Sequence, residues 1–198
     1  VGAAEGIASA SEEDALPGDS GVWLFIFADM CAFAVFFLLF TVGRAANPVL
    51  YEASRVQLDP RFGLANTLVL LTSSWLVARA VHAVRAGDRA RVVRGLAGAL
   101  AVGAVFGVSK VSEWVSEVAR GNTLLTNEFF SYYFAFTGIH FLHFVVGMAV
   151  LAVSVAKARH DALDARFRVW VESAGCYWHM VDLLWIVLFP MLYLQRTA

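Results

Sequence analysis

Five apolar runs, each about 20 residues long and separated by short charged segments, govern what this chain can become. A run of that length crosses a hydrocarbon core of about 30 Å as an α-helix. Away from water, a helix satisfies every backbone N–H and C=O within its own segment. The pattern predicts an all-α membrane protein, a five-transmembrane-helix bundle with helices at about 22–42, 64–84, 92–114, 129–156 and 169–194. Composition agrees: 60% of residues are hydrophobic and 16% charged, against about 25% charged in an ordinary soluble domain. There is no basic tract, so nucleic acid is set aside as a partner. There is no inverted repeat or pair of broken helices to suggest a transporter.

The first 16 residues are mostly Ala, Gly, Ser, Glu and Asp. They carry neither a basic segment nor an apolar one, so they read as a flexible acidic tail and not a signal peptide. A single transmembrane domain is expected over 17–198. Its first span follows the turn Pro17-Gly18-Asp19-Ser20-Gly21, and Asn47-Pro48 and Asp59-Pro60 mark turns in the loop after it. Gly95, Gly98, Gly103 and Gly107 in the third span permit close helix contact, and Pro190 sits near the end of the fifth, where a kink costs little. Cys31 and Cys176 lie inside apolar runs without CxxC spacing and read as small buried apolar residues. Of the fifteen Lys and Arg, nine fall on the side holding the N-terminus and six on the other, with Arg85 to Arg94 the densest group. The bias predicts a cytoplasmic N-terminus and an external C-terminus.

Ionisable groups inside the spans are the informative residues, because each costs about 2.5–3.5 kcal/mol at the bilayer centre and must find a partner. They are Asp29, Glu113, His140, His143, His179 and Asp182, with Glu172 and His82 nearer helix ends. His140, His143 and Gly147 share one stripe of the fourth helix, and Glu172, Cys176, His179 and Asp182 one stripe of the fifth. Three readings stay open on spacing alone: a metal or heme site at the histidine cluster, a proton path using Asp29 and the histidines, and a structural polar network between helices.

The strings are more specific than their spacing. Asn66-Thr67 and Leu70-Leu71-Thr72-Ser73-Ser74 occupy the second span; Lys110-Val111-Ser112 and Glu113-Trp114 close the third. Thr137-Gly138-Ile139-His140-Phe141-Leu142-His143 runs through the fourth, and Glu172 with Tyr177-Trp178-His179-Met180-Val181-Asp182 through the fifth. In this order the set resembles the cytochrome c oxidase subunit III family over about residues 17–195. Larger members have seven helices, and this chain resembles the last five. Its opening, PGDSGVWLFIFADM, resembles the short branch associated with nitric-oxide reductase.

The resemblance implies a non-catalytic subunit of a heme–copper terminal oxidase in the cell inner (plasma) membrane. It implies heme and copper in partner subunits I and II, none bound here, and structural phospholipid held between helices. Asp29 matches the family's buried Glu, one methylene shorter, and is a candidate for proton handling. Glu113, His140, His143, Glu172, His179 and Asp182 become an interhelical polar network. Lys110 stands where the family often has Gln and can pair with Glu113. His82 and Lys157 match positions that could hold a lipid headgroup. The alternatives are an accessory subunit of a nitric-oxide reductase, a scaffold of another membrane complex, and a metal-binding enzyme at the histidine cluster.

Overall fold

In the computed structural model, residues 16–195 are described, so the tail expected over 1–16 lies outside the described residues except for Leu16. The described elements are α1 (Ser20–Ala46), α2 (Pro48–Arg55), α3 (Pro60–Arg85), α4 (Arg89–Ala119), α5 (Glu128–His160) and α6 (Ala165–Phe189), which runs into a π-helical turn, Pro190–Leu194. Five of these helices are long and apolar enough to cross a membrane. Among the described residues there is no strand.

The spans extend beyond their apolar runs because an Asp or Asn caps each one. The side chains of Asp19, Asp59, Asp88, Asn127 and Asp164 accept from the backbone N–H of Gly21, Arg61, Arg91, Phe130 and Phe167 at 2.8–3.0 Å. Each cap satisfies a donor that the first helical turn leaves open. Hydropathy therefore marks the membrane crossing, and the caps mark the helix.

The helix α2 falls in a loop whose two proline signals suggested turns only. Pro48 takes the first helical position, where its missing N–H is no loss, and the helix buries Tyr51 and Ser54. At the other end of the chain, Pro190 cannot donate a backbone hydrogen bond. The last turn widens there, closed by the Gln195 amide donating to the Pro190 carbonyl at 3.0 Å.

Helices α3 and α4 form a tight antiparallel pair through Ala86–Asp88, with α5 against α4, and α6 packed on α3 and α5. Gly147 shows why small residues matter here: an added Cβ would lie 2.7 Å from Trp178 Cε3, and Trp178 and Trp185 are fully buried. Helix α1 is held more loosely, with only Phe33 and Phe40 buried. Phe40 packs against Tyr51, Phe129, Tyr132 and Phe136. The cysteines depart from expectation. Cys31 faces outward, because α1 buries little of its circumference, and Cys176 on α6 is half-buried.

Candidate functional site

Asp29 on α1 meets His143 on α5: Oδ1 and Nε2 are 3.1 Å apart, and both side chains are largely buried. His143 Nδ1 lies 2.8 Å from the Ile139 carbonyl, which can only accept, so Nδ1 carries a proton. Nε2 is then the ring atom that faces the Asp29 carboxyl. The second carboxyl oxygen, Oδ2, is buried without a partner among the described residues.

Glu113 and Lys110, one turn apart on α4, form a buried ion pair at 3.1 Å. Lys110 Nζ also donates to the hydroxyls of Tyr193 at 2.9 Å and Tyr133 at 3.3 Å. Both tyrosines donate to Glu113 Oε1, so α4, α5 and the π-helical turn share one charge-balanced knot. A turn further along α4, the buried Glu117 carboxylate is met by Arg120 and Asn122, each at 2.8 Å.

The other residues form separate pairs. His140 Nε2 donates to the Val181 carbonyl across the α5–α6 interface at 3.0 Å. His179 Nδ1 lies 2.5 Å from Ser74 Oγ on α3, and Asp182, one turn further along α6, is buried with its Oδ1 unpartnered among the described residues. Glu172 takes two contacts from Arg85, 3.0 Å from Nε and 2.9 Å from the terminal nitrogen. It also accepts from the Gly18 amide at 3.3 Å. That second bond, with Asp19 N donating to Ser173 Oγ at 2.9 Å, docks the turn before α1 onto α6. Gly18 adopts φ +82° there, a conformation that suits glycine.

The structure thus brings Asp29 to His143, joins α5 to α6 through His140, and places His179 at Ser74. It does not converge His140, His143 and His179 on one point. Among the described residues no three His, Cys, Asp or Glu are placed to share a metal ion. Tyr133, Tyr193, Ser74 and Arg85 complete these pairs; no pairing for any of them was legible in the sequence, because each lies on a different element from its partner.

His82 lines a cavity of about 240 Å³ with Arg85, Glu172, Cys176 and His179. Lys157 stands 5.4 Å over the Trp170 ring and 3.6 Å from Asp161. In the connection after α1, burial and the neighbouring Glu128 carboxylate push the Tyr51 phenol above its ordinary range, and the hydrogen bonds that Arg55 donates to Glu52 raise the guanidinium.

Capped apolar helices with paired interior charges define a multi-pass membrane protein of the helical-bundle class. The sequence model of the family described as Cytochrome c oxidase subunit III matches residues 17–196. The chain belongs to that family. It is similar to cytochrome c oxidase subunit 3 of Synechocystis, with 29% identity covering 88% of this chain and 74% of the relative. It is 28% identical to quinol oxidase subunit 3 of Bacillus subtilis, covering 88% and 85%. It also matches a heme-copper oxidase subunit I+III of Aeropyrum pernix, with 29% identity covering 88% of this chain and 22% of that one.

Proposed function

We propose that this chain is the non-catalytic third membrane subunit of a heme–copper terminal oxidase in aerobic respiration. It packs against catalytic subunit I, with subunit II in the same complex, and those partners hold the heme and copper. Family membership over 17–196 carries the reading. A relative whose name joins subunits I and III in one chain supports the contact with subunit I. The loosely held α1, with its exposed Leu24, Phe27, Leu38 and Val42, supports a bundle completed by lipid or another subunit. The N-terminus is assigned to the cytoplasm of a plasma-membrane protein from its charge bias.

Within that reading, Glu113, His140, His143, Glu172, His179 and Asp182 hold helices in register, and His82 and Lys157 contact lipid headgroups at the cytoplasmic face. Asp29, beside His143 at the edge of α1, supports proton uptake by the catalytic subunit.

Purification of the native complex in mild detergent, with partner mass spectrometry and heme spectra, tests the assignment. Heme and copper subunits at fixed ratio support it; a chain isolated with unrelated proteins overturns it. The heme spectra and turnover also separate an oxygen-reducing complex from a nitric-oxide-reducing one. Unchanged turnover and proton uptake across pH in Asp29→Asn would remove the proposed proton role alone.

A further inference from the structure

Three arginines of the α3–α4 pair converge on one cavity. Arg79, Arg91 and Arg94 line a space of about 490 Å³ whose other lining residues are Leu76 and Gly95. Along the chain these arginines contribute only to the charge bias; in space they surround one hollow. Arg79 precedes the end of α3 at Arg85, and Arg94 follows the start of α4 at Arg89. At about 1.5 Å per residue, both sit roughly 7–9 Å in from the helix ends. That depth matches the layer of about 5–8 Å between the hydrocarbon core and the outer limit of the headgroups.

The charges at this cavity are poorly balanced from within the protein. Arg91 pairs with Asp88 at 2.9 Å. Arg79 Cζ stands 4.8 Å from the centroid of the exposed Trp75 ring, and Arg94 Nε donates to the Ala90 carbonyl at 3.2 Å. Among the described residues, neither Arg79 nor Arg94 has a carboxylate within ion-pair distance. The neighbouring basic concavity at Lys157 and Arg166 differs, because Asp161 and Asp164 line it too. At the α3–α4 cavity Gly95 lets the two helices approach closely: an added Cβ would stand 2.9 Å from Ala80 Cβ and 3.2 Å from the Leu76 carbonyl oxygen.

We propose that this cavity is a phosphate-binding pocket for the headgroup of an anionic phospholipid. Guanidinium groups bind phosphate oxygens through charge-assisted, often bidentate, hydrogen bonds. Leu76 in the lining suits the glycerol and upper acyl chain of the same molecule, and the exposed Trp75 ring stands beside Arg79. A free phosphate ion would use the same guanidinium pair without the apolar contacts.

The complex purified from membranes and stripped of lipid is the material for the test. Native mass spectrometry measures phosphatidylglycerol and phosphatidylcholine binding, and phosphorus NMR measures inorganic phosphate binding. The variants are Arg79→Gln/Arg94→Gln, the milder Arg94→Gln, and Arg166→Gln/Arg168→Gln, which removes equal charge elsewhere on the same side. The expected result is a loss of about tenfold or more in phosphatidylglycerol binding in the first pair. A smaller loss is expected in the single variant, with none in the control pair and none for phosphatidylcholine. An equivalent loss confined to inorganic phosphate keeps the pocket and reassigns the source. Equal binding of both probes by the control and the Arg79 and Arg94 variants overturns the proposal, and Arg94→Gln decides it alone if the double variant does not assemble.

Discussion

Lys110 Nζ lies 3.1 Å from Glu113 Oε2 inside the bundle, with Lys110 0% and Glu113 4% exposed. Two tyrosine hydroxyls close the shell around them. Each charge needs the other, because a buried ion left alone is costly. Lys110→Met is expected to destabilise the bundle by about 3–5 kcal/mol. The double change Lys110→Met/Glu113→Met should recover much of that loss, since no orphan charge remains. Thermal melting of the purified complex checks both; a double variant no better than the single would show that the pair adds more than mutual neutralisation.

Gly147 and Gly138 lie on the same helix and predict opposite outcomes. A Cβ on Gly147 would press into Trp178 at 2.7 Å, whereas one on Gly138 would meet nothing within 4 Å. Gly147→Ala should cost about 1–3 kcal/mol through overpacking, and Gly138→Ala should be neutral or stabilise by up to about 1 kcal/mol. Paired melting curves in one detergent compare them directly.

Alkaline stability should depend on Tyr51. Burial and the Glu128 carboxylate raise its phenol above the ordinary value in the folded state. The unfolded chain then ionises first, and stability is full below about pH 10 and falls as pH rises above it. Tyr51→Phe removes this contribution. Between about pH 10 and 12 its melting temperature should fall less steeply than that of the parent. Parallel slopes would show that another group governs alkaline unfolding.

Arg85→Gln should loosen the turn before α1. Arg85 neutralises Glu172, which also accepts from the Gly18 amide. Arg85 is about half-exposed, so the cost to global stability should be small, about 1 kcal/mol or less. The local effect should be larger: hydrogen exchange at Gly18 and Asp19 is expected to accelerate at least severalfold, with α4 and α5 unchanged. Exchange that rises uniformly across the bundle would count against a local anchor.

The candidate site was legible where partners sit on one helix. Lys110 and Glu113 are three residues apart, a spacing that places side chains side by side. Asp29 and His143 are far apart in sequence and meet only because α1 lies against α5. The sequence showed that Asp29 needed a partner and could not say which. Stripes on α5 and α6 were legible in the sequence, but the partners of their polar groups were not. His140 reaches a backbone carbonyl, and His179 turns to Ser74 on α3. The short α2 was hidden by Pro48, which ends a helix in most positions and begins one in this position.

Hydropathy along the chain determined the five crossings, and the local order of residues determined the caps and the Lys110–Glu113 pair. Both depend on neighbours within a turn or two. Tertiary structure decided which face of each helix turns inward. Leu68 is 58% exposed and Leu70, two residues on, is 1% exposed, yet the two are identical in hydropathy. In water an apolar face must be buried, so its position reveals the core; lipid is as apolar as leucine and removes that distinction. The rotation of each helix is then set by small residues, ring packing and paired polar groups on other helices, and these exist only once the bundle has formed.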